Sequence, residues 1–162
     1  MQKQQAILML GSQSDLEQAE KITTTLNEFG ILNQIRIASA HRVPQTVQKI
    51  VNELEQSPDQ IIIIAVVGLS NALSGLVAGI SSLPVITCPI YNQEDIMSSL
   101  RMPPGVAHGT VLNPENAALY TTKIFSLSNP ELKAKIHTYL QSKQKRLEEH
   151  DESIQRKSQK SR

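Results

Sequence analysis

The chain has a single cysteine, Cys88, among its 162 residues, and it has no tryptophan. One cysteine excludes an internal disulfide and a cysteine-based zinc cluster, and it favours a reducing compartment. An excess of charge of either sign is also missing, because 16 Lys and Arg against 15 Asp and Glu give a formal net charge of +1. The overall balance therefore gives no support for a nucleic-acid or membrane-surface partner.

Long apolar runs are absent as well. Gly68 and Ser70 interrupt the longest run, so none is long enough to span a bilayer. The first residues lead into a short apolar run without the features of a secretory signal. Hydrophobic residues make up 40% of the chain, which suits one compact domain. We expect this domain to cover residues 1–150 of a cytoplasmic protein, followed by a polar, disordered tail at 151–162.

Five short apolar runs alternate with segments of helical periodicity, and they predict strands at 6–10, 35–38, 61–67, 85–88 and 110–112. The run at 61–67 is apolar throughout, as expected of a central strand that helices cover on both sides. Regular β-α-β alternation predicts a flavodoxin-like, three-layer α/β/α fold with a five-stranded parallel sheet and a C-terminal helix. In such sheets, ligands bind beyond the carboxyl ends of the strands.

Helix ends carry recognisable signals. Ser14 and Glu17 have the spacing of a capping box at the start of the first helix, and Gly30 predicts its end. Asn113 and Asn129 each precede a proline, which predicts the starts of two late helices.

Polar residues follow the first two predicted strands. The first turn is Gly11-Ser12-Gln13-Ser14-Asp15, whose hydroxyls and helix N-terminal amides are suited to phosphate, while the carboxylate of Asp15 can accept hydrogen bonds from a ribose. An ordinary capped helix start is an equally good interpretation. The second strand leads into Ser39-Ala40-His41-Arg42. Arginine binds phosphate bidentately and histidine transfers protons near neutral pH, although a lone pair of this kind is more often a surface feature.

Small residues follow the third strand, and they let a ligand approach the backbone: Gly68, Ser70, Asn71 and Ala72. Close helix packing is the alternative. A later proline-bounded loop is typical of a lid or a subunit contact and contains Ser99, Arg101, Met102 and Pro103. Metal-ligand clusters, a Walker loop and a dinucleotide motif are all missing, so the sequence implies no metal and no cofactor.

Together the three loops resemble those of the 5-aminoimidazole ribonucleotide (AIR) carboxylase and N5-carboxyaminoimidazole ribonucleotide mutase family. The first turn is similar to the family's first-loop motif, and 39–44 is similar to its Ser-Ala-His-Arg/Lys motif. The similarity runs in order from about residue 6 to about residue 127. It implies a flavodoxin-like subunit that assembles into a homo-octamer with active sites at subunit junctions.

The third loop separates the two classes of that family. Mutases carry a second histidine there, whereas carboxylases carry Gly-Arg-Ser-Asn-x-Leu. This chain has Gly68-Leu69-Ser70-Asn71-Ala72-Leu73 without a histidine, so the resemblance implies the carboxylase class. Arg42 and Leu69 depart from that class, which usually has Lys and Arg at these positions.

The resemblance implies conversion of AIR and CO2 to 4-carboxy-5-aminoimidazole ribonucleotide in purine biosynthesis. His41 is the implied proton shuttle. The 5′-phosphate is assigned to Ser12, Ser14 and Arg42, and the ribose to Asp15. The reacting carboxyl group is assigned to the region of Ser70, Asn71 and Ala72. The remaining substrate-binding candidates are Gly11, Ser39, Ala40 and Gly68.

Mutase activity on the same fold is the nearest alternative. A noncatalytic module that binds a nucleotide or a flavin is a more distant one. Three Tyr, two Phe and no Trp leave few aromatic partners for a flavin. A phospho-receiver domain is weaker still, because it needs an acidic cluster at the strand ends and only Asp15 is available.

Overall fold

A computed structural model describes residues 2–90 and 93–160. In this part of the chain, five strands form one sheet, and every pair of neighbouring strands runs parallel. The strands are β1 (Gln4–Leu10), β2 (Leu32–Ile37), β3 (Gln60–Val67), β4 (Val85–Pro89) and β5 (Gly109–Thr110). Their order across the sheet is β2-β1-β3-β4-β5, which confirms the predicted parallel sheet.

Helices cover both faces of this sheet. They are α1 (Leu16–Phe29), α2 (Pro44–Glu55), α3 (Leu73–Ile80), α4 (Gln93–Ser98), α5 (Pro114–Phe125) and α6 (Pro130–Lys160). Buried residues of α1, α5 and α6 form one core cluster with the sheet, and those of α2 and α3 form the other. The predicted three-layer, flavodoxin-like architecture with a C-terminal helix is therefore confirmed.

The central strand β3 packs against both layers. Ile62, Ile64 and Val66 belong to the first core cluster, whereas Ile61 and Ile63 belong to the second. Each large apolar side chain buried in this way contributes about 1.5–3 kcal/mol relative to an exposed one. An apolar residue at every position from 61 to 67 is thus explained by burial on both faces, as the sequence predicts.

Three helix ends follow the sequence signals. Gly30 ends α1 in the left-handed conformation, with φ of 77°. The Asn113 side chain accepts a 2.8 Å hydrogen bond from the backbone N–H of Asn116, and Asn129 accepts one of 3.1 Å from Leu132. These caps fix where α5 and α6 begin.

The capping box before α1 differs from the predicted one by two residues. A short 3-10 helix at Gln13–Asp15 precedes α1, and its capping box joins Ser12 and Asp15 rather than Ser14 and Glu17. Both pairs have the same spacing. The chain leaves β1 at Leu10 and turns at once, so the first helical turn starts earlier than the apolar periodicity indicates.

Residues 151–160, in the segment predicted to be a disordered tail, continue α6 as a helix, and residues 161 and 162 of that segment lie outside the described residues. Arg156 and Glu152 form an ion pair of 2.9 Å, and Gln155 donates a 2.8 Å hydrogen bond to Asp151. Exposed pairs of this spacing contribute only about 0.3–0.5 kcal/mol each, but they favour the helix.

The strand order determines where a ligand can bind. The chain passes from β1 to β2 on one side and then returns to β3 on the other side of β1, so the carboxyl ends of β1 and β3 flank the point where the strand order reverses. The loops after β1, β2 and β3 meet at that edge. Nowhere in residues 2–90 and 93–160 does a helix combine the length and the apolar surface that a bilayer crossing requires.

Candidate active site

A pocket of about 700 Å³ lies at the carboxyl edge of the sheet. This volume is within the range of about 300–1,000 Å³ that is typical of small-molecule sites. The lining residues are Gly11, Ser12, Ser14, Asp15, Ser39, Ala40, His41, Arg42, Val67, Gly68, Leu69, Ser70, Ala72, Leu73 and Ile90. The fold therefore brings His41 together with every predicted substrate-binding residue except Asn71.

The first loop is held together by the side chain of Asp15, which is only 5% exposed. Its Oδ2 accepts a 2.8 Å hydrogen bond from the backbone N–H of Ser12, and its Oδ1 accepts one of 3.3 Å from the Ser14 hydroxyl. A Cβ added at Gly68 would lie 3.9 Å from Oδ1, so the carboxylate also sits against the third loop. Asp15 thus joins two of the three loops.

The second loop carries His41, which can transfer a proton, and Arg42, which can bind a phosphate. Its turn is closed by a 2.9 Å hydrogen bond from the Val43 N–H to the Ser39 carbonyl, and the Ser39 hydroxyl accepts one of 3.3 Å from the Arg42 N–H. The side chains of His41 and Arg42 are exposed and make no hydrogen bond or ion pair within the described residues. Both are therefore available to a ligand.

The third loop contains a residue in an unusual conformation. Leu69 has a φ of 58°, and 81% of it is exposed at the pocket. Left-handed backbone is uncommon for residues other than glycine, asparagine and aspartate, and it concentrates at functional sites. The turn presents Gly68 and Ser70 to the pocket.

Asn71 lies outside the pocket, although the sequence predicts it as a ligand contact. It is 7% exposed, and its Nδ2 lies within hydrogen-bonding distance of Ser74 (2.7 Å), Ser99 (2.8 Å) and Thr87 (3.1 Å). Its Oδ1 accepts a 3.1 Å hydrogen bond from the Ser74 N–H. The side chain thus anchors the loop to the protein interior rather than facing a ligand.

His108 extends this buried network. Its Nε2 lies 3.3 Å from the Ser74 hydroxyl, which already accepts a hydrogen bond from Asn71, so the hydroxyl proton is directed to Nε2. Its Nδ1 is buried without a hydrogen-bond partner in the described structure. Burial lowers the pKa of His108 below its ordinary value, so the neutral form is favoured.

The predicted lid or subunit-contact residues do not line the pocket. Ser99 is 1% exposed and belongs to the Asn71 network. Arg101 and Pro103 are exposed. Met102 packs on α3, where a Cβ added at Gly75 would lie 3.2 Å from the methionine sulfur. The segment therefore packs against the third loop and α3. Of the four predicted residues, Arg101 and Pro103 are the exposed ones, so these two are available to a neighbouring molecule.

Sequence reasoning missed the apolar part of the pocket wall, which consists of Val67, Leu69, Leu73 and Ile90. Ile90 directly follows β4, so its position at a strand end is the signal that could have identified it. In the described part of the chain, no group of three or more His, Cys, Asp and Glu side chains is arranged to hold a metal ion.

A second pocket, of about 610 Å³, lies at the opposite edge of the sheet, near the start of α6. Several of its polar side chains form hydrogen bonds with one another. Gln4 donates to Gln60 at 2.9 Å, and Asn129 donates to Gln4 at 2.9 Å. This pocket is lined by no imidazole or guanidinium, unlike the pocket at the carboxyl edge.

Comparison with known proteins identifies the family. The family model described as AIR carboxylase matches residues 5–146. The chain is 41% identical to a phosphoribosylaminoimidazole carboxylase of Archaeoglobus fulgidus over 153 residues, which cover 92% of this chain and 84% of that protein. It is 35% identical to an N5-carboxyaminoimidazole ribonucleotide mutase of Methanocaldococcus jannaschii, covering 91% and 95% of the two chains. The crystal structure of Treponema denticola PurE superimposes with a TM-score of 0.90 at 39% identity, covering 93% of this chain and 98% of that one.

Proposed function

Since the chain belongs to the AIR carboxylase family, we propose that it is a phosphoribosylaminoimidazole carboxylase of de novo purine biosynthesis. It converts AIR and CO2 to 4-carboxy-5-aminoimidazole ribonucleotide. The observation that carries the proposal is the convergence of His41, Arg42 and the Ser12–Ser14 turn on one pocket at the switch point of the sheet. The similarity to the Archaeoglobus carboxylase supports it.

The nucleotide is held by the first two loops. The 5′-phosphate binds the hydroxyls of Ser12 and Ser14 and the guanidinium of Arg42, whose planar fork suits a phosphate. Asp15 receives the ribose hydroxyls. Its Oδ2 already accepts a hydrogen bond from the Ser12 amide and its Oδ1 accepts one from the Ser14 hydroxyl, so the ribose uses the remaining lone pairs of the two oxygens. Gly11, Ser39 and Ala40 complete this part of the wall.

His41 is the catalytic residue. The electron-rich imidazole ring of AIR attacks CO2 through C4, which forms the new C–C bond and leaves an extra proton on C4. Loss of that proton restores the aromatic ring, and the neutral His41 side chain accepts it as a general base. The carboxyl group lies against Gly68, Ser70 and Ala72. No cofactor enters this scheme, because the ring itself supplies the electrons.

Mutase activity is the second candidate, and the similarity to the Methanocaldococcus mutase favours considering it. A mutase obtains CO2 from an N5-carboxylated substrate. The third loop of this chain has no histidine, which favours the carboxylase. Steady-state assays with AIR plus bicarbonate and, separately, with the N5-carbamate decide between them. We expect the higher kcat/KM with AIR, and a higher kcat/KM with the carbamate would contradict the proposal.

The proposal includes a homo-octamer located in the cytoplasm. Large apolar side chains are exposed on the edge strand β2, on two of the pocket loops and after α4, namely Leu32, Ile37, Val43, Leu69 and Leu100. Exposed apolar surface of this kind is typical of contact surfaces between subunits. Light scattering on the purified protein tests the assembly, with a mass of eight chains expected and a monomer contradicting it.

A further inference from the structure

The wall of the pocket contains a strained turn at Leu69. Its φ of 58° brings the side-chain Cβ close to a neighbouring carbonyl oxygen, which is unfavourable for an L-residue. Such a conformation persists only where surrounding contacts hold it. The exposed Leu69 side chain gains little from packing, so those contacts must be made by the backbone on either side.

One hydroxyl group makes contacts on both sides of the turn. The Oγ of Ser98, at the end of α4, accepts a 2.9 Å hydrogen bond from the backbone N–H of Asn71. The same oxygen lies 3.5 Å from the carbonyl oxygen of Leu69, to which it donates a long hydrogen bond. Ser98 therefore bridges the residue with the strained backbone and the residue two positions later.

The neighbouring Ser99 holds the same turn through the side chain of Asn71. Its buried hydroxyl accepts a 2.8 Å hydrogen bond from the Asn71 amide. Its carbonyl oxygen accepts a 3.3 Å hydrogen bond from the Thr110 hydroxyl, which ties the segment to β5. The two serines thus connect the third loop to the rigid sheet.

We propose that Ser98 and Ser99 are positioning residues that hold the left-handed Leu69 turn and so place Gly68 and Ser70 against the reacting carboxyl group. Neither serine lines the pocket, and both act through the loop. The inference rests on the proposed function, because it concerns the wall assigned to that carboxyl group.

Kinetics of Ser98→Ala, with Ser98→Thr as the matched control, test the functional part. Small misplacement of a reacting group is costly, so we expect kcat of Ser98→Ala to fall about tenfold or more. The KM for AIR should change less than about twofold, because the phosphate and ribose contacts come from other loops. The threonine variant keeps the hydroxyl and should retain kcat near wild type. Wild-type kcat in Ser98→Ala, or an equal loss in both variants, would overturn the proposal.

Stability measurements test whether Ser98 holds the left-handed turn at Leu69, and they do not rely on activity. Glycine adopts the left-handed conformation without strain, so Leu69→Gly should lower the unfolding equilibrium constant about threefold in the wild-type background. In Ser98→Ala the turn has already relaxed, and the same substitution should change that constant little. Leu69→Ala keeps the Cβ and should show no gain. An equal effect of Leu69→Gly in both backgrounds would overturn the proposal that Ser98 holds the turn. Failure of the wild-type enzyme to carboxylate AIR would overturn only the proposed function.

Discussion

The carboxylate of Asp15 accepts a 2.8 Å hydrogen bond from the backbone N–H of Ser12, so one side chain both lines the pocket and holds its phosphate-type turn together. It also leaves one fewer free amide for a phosphate, and the Ser14 hydroxyl, which donates to Asp15 at 3.3 Å, must turn away from the carboxylate to bind one. Two functions therefore depend on the same carboxylate.

Asp15→Ala should lower the stability of the protein and weaken its binding of AIR. Loss of a capping side chain costs about 1–2 kcal/mol of unfolding free energy, and we expect the KM for AIR to rise about tenfold as the turn loosens. Urea unfolding and steady-state kinetics measure the two effects. Glu17→Ala is the matched control, since Glu17 is exposed and pairs with Lys21 at 2.9 Å. A loss of stability with Glu17→Ala as large as that with Asp15→Ala would contradict this role of Asp15 and favour the capping box of Ser14 and Glu17 that the sequence predicts.

Arg42→Lys tests the phosphate contact. An ammonium cannot reproduce the two parallel hydrogen bonds of the guanidinium fork, and Leu69 supplies no second cation, so the KM for AIR should rise about tenfold. Adding Leu69→Arg should recover part of the loss. Arg36→Lys serves as the control, because Arg36 lies outside the pocket and pairs with Glu53 at 3.9 Å. An unchanged KM in Arg42→Lys would refute this role.

His108 should make stability depend on pH. Burial lowers its pKa in the folded state below the ordinary value of 6.5, so the unfolded state binds more protons below that pH. The contribution of the buried, neutral His108 to the free energy of unfolding is therefore fully present above pH 6.5, and it is lost as the pH falls below that value. We expect His108→Gln to lose less unfolding free energy than the wild type between about pH 7.5 and about pH 5.5. Parallel curves for the two proteins in urea titrations would show that His108 does not contribute.

Cys88 should be unreactive in the native protein. Its thiol is buried in β4, its Sγ lies 3.8 Å from the Leu112 carbonyl oxygen, and burial raises its pKa to about 11. The thiolate is the reactive form, so a thiol-reactive disulfide reagent should label the folded protein only slowly. In denaturant, one equivalent should react at once. Rapid labelling of the native state would mean that β4 opens readily.

The sheet and its two helical layers could be predicted because their signals are local. A continuous apolar run such as that of β3 has few alternatives to a buried strand, and the glycine and asparagine caps at 30, 113 and 129 act within one helical turn. The three pocket loops could also be predicted, since parallel strands bring their carboxyl ends to one edge.

Other features depend on contacts between distant residues. Asn71 and Ser70 are neighbours with similar polarity, but only the proximity of Thr87 and Ser99 decides that Asn71 faces inward. The choice between two capping boxes of equal spacing depends on where β1 ends. The left-handed turn at Leu69 has no local signal at all, because leucine does not favour it.

His41 is central to the account, and His41→Asn tests it most directly. A general base contributes about 10²–10⁴-fold, so kcat for carboxylation of AIR should fall by about that factor. The Kd for AIR should stay within about threefold of wild type, because the phosphate and ribose contacts remain. His137→Asn, on the exposed face of α6, should keep full activity. A His41→Asn enzyme with kcat near wild type would contradict the assignment of His41 as the proton carrier.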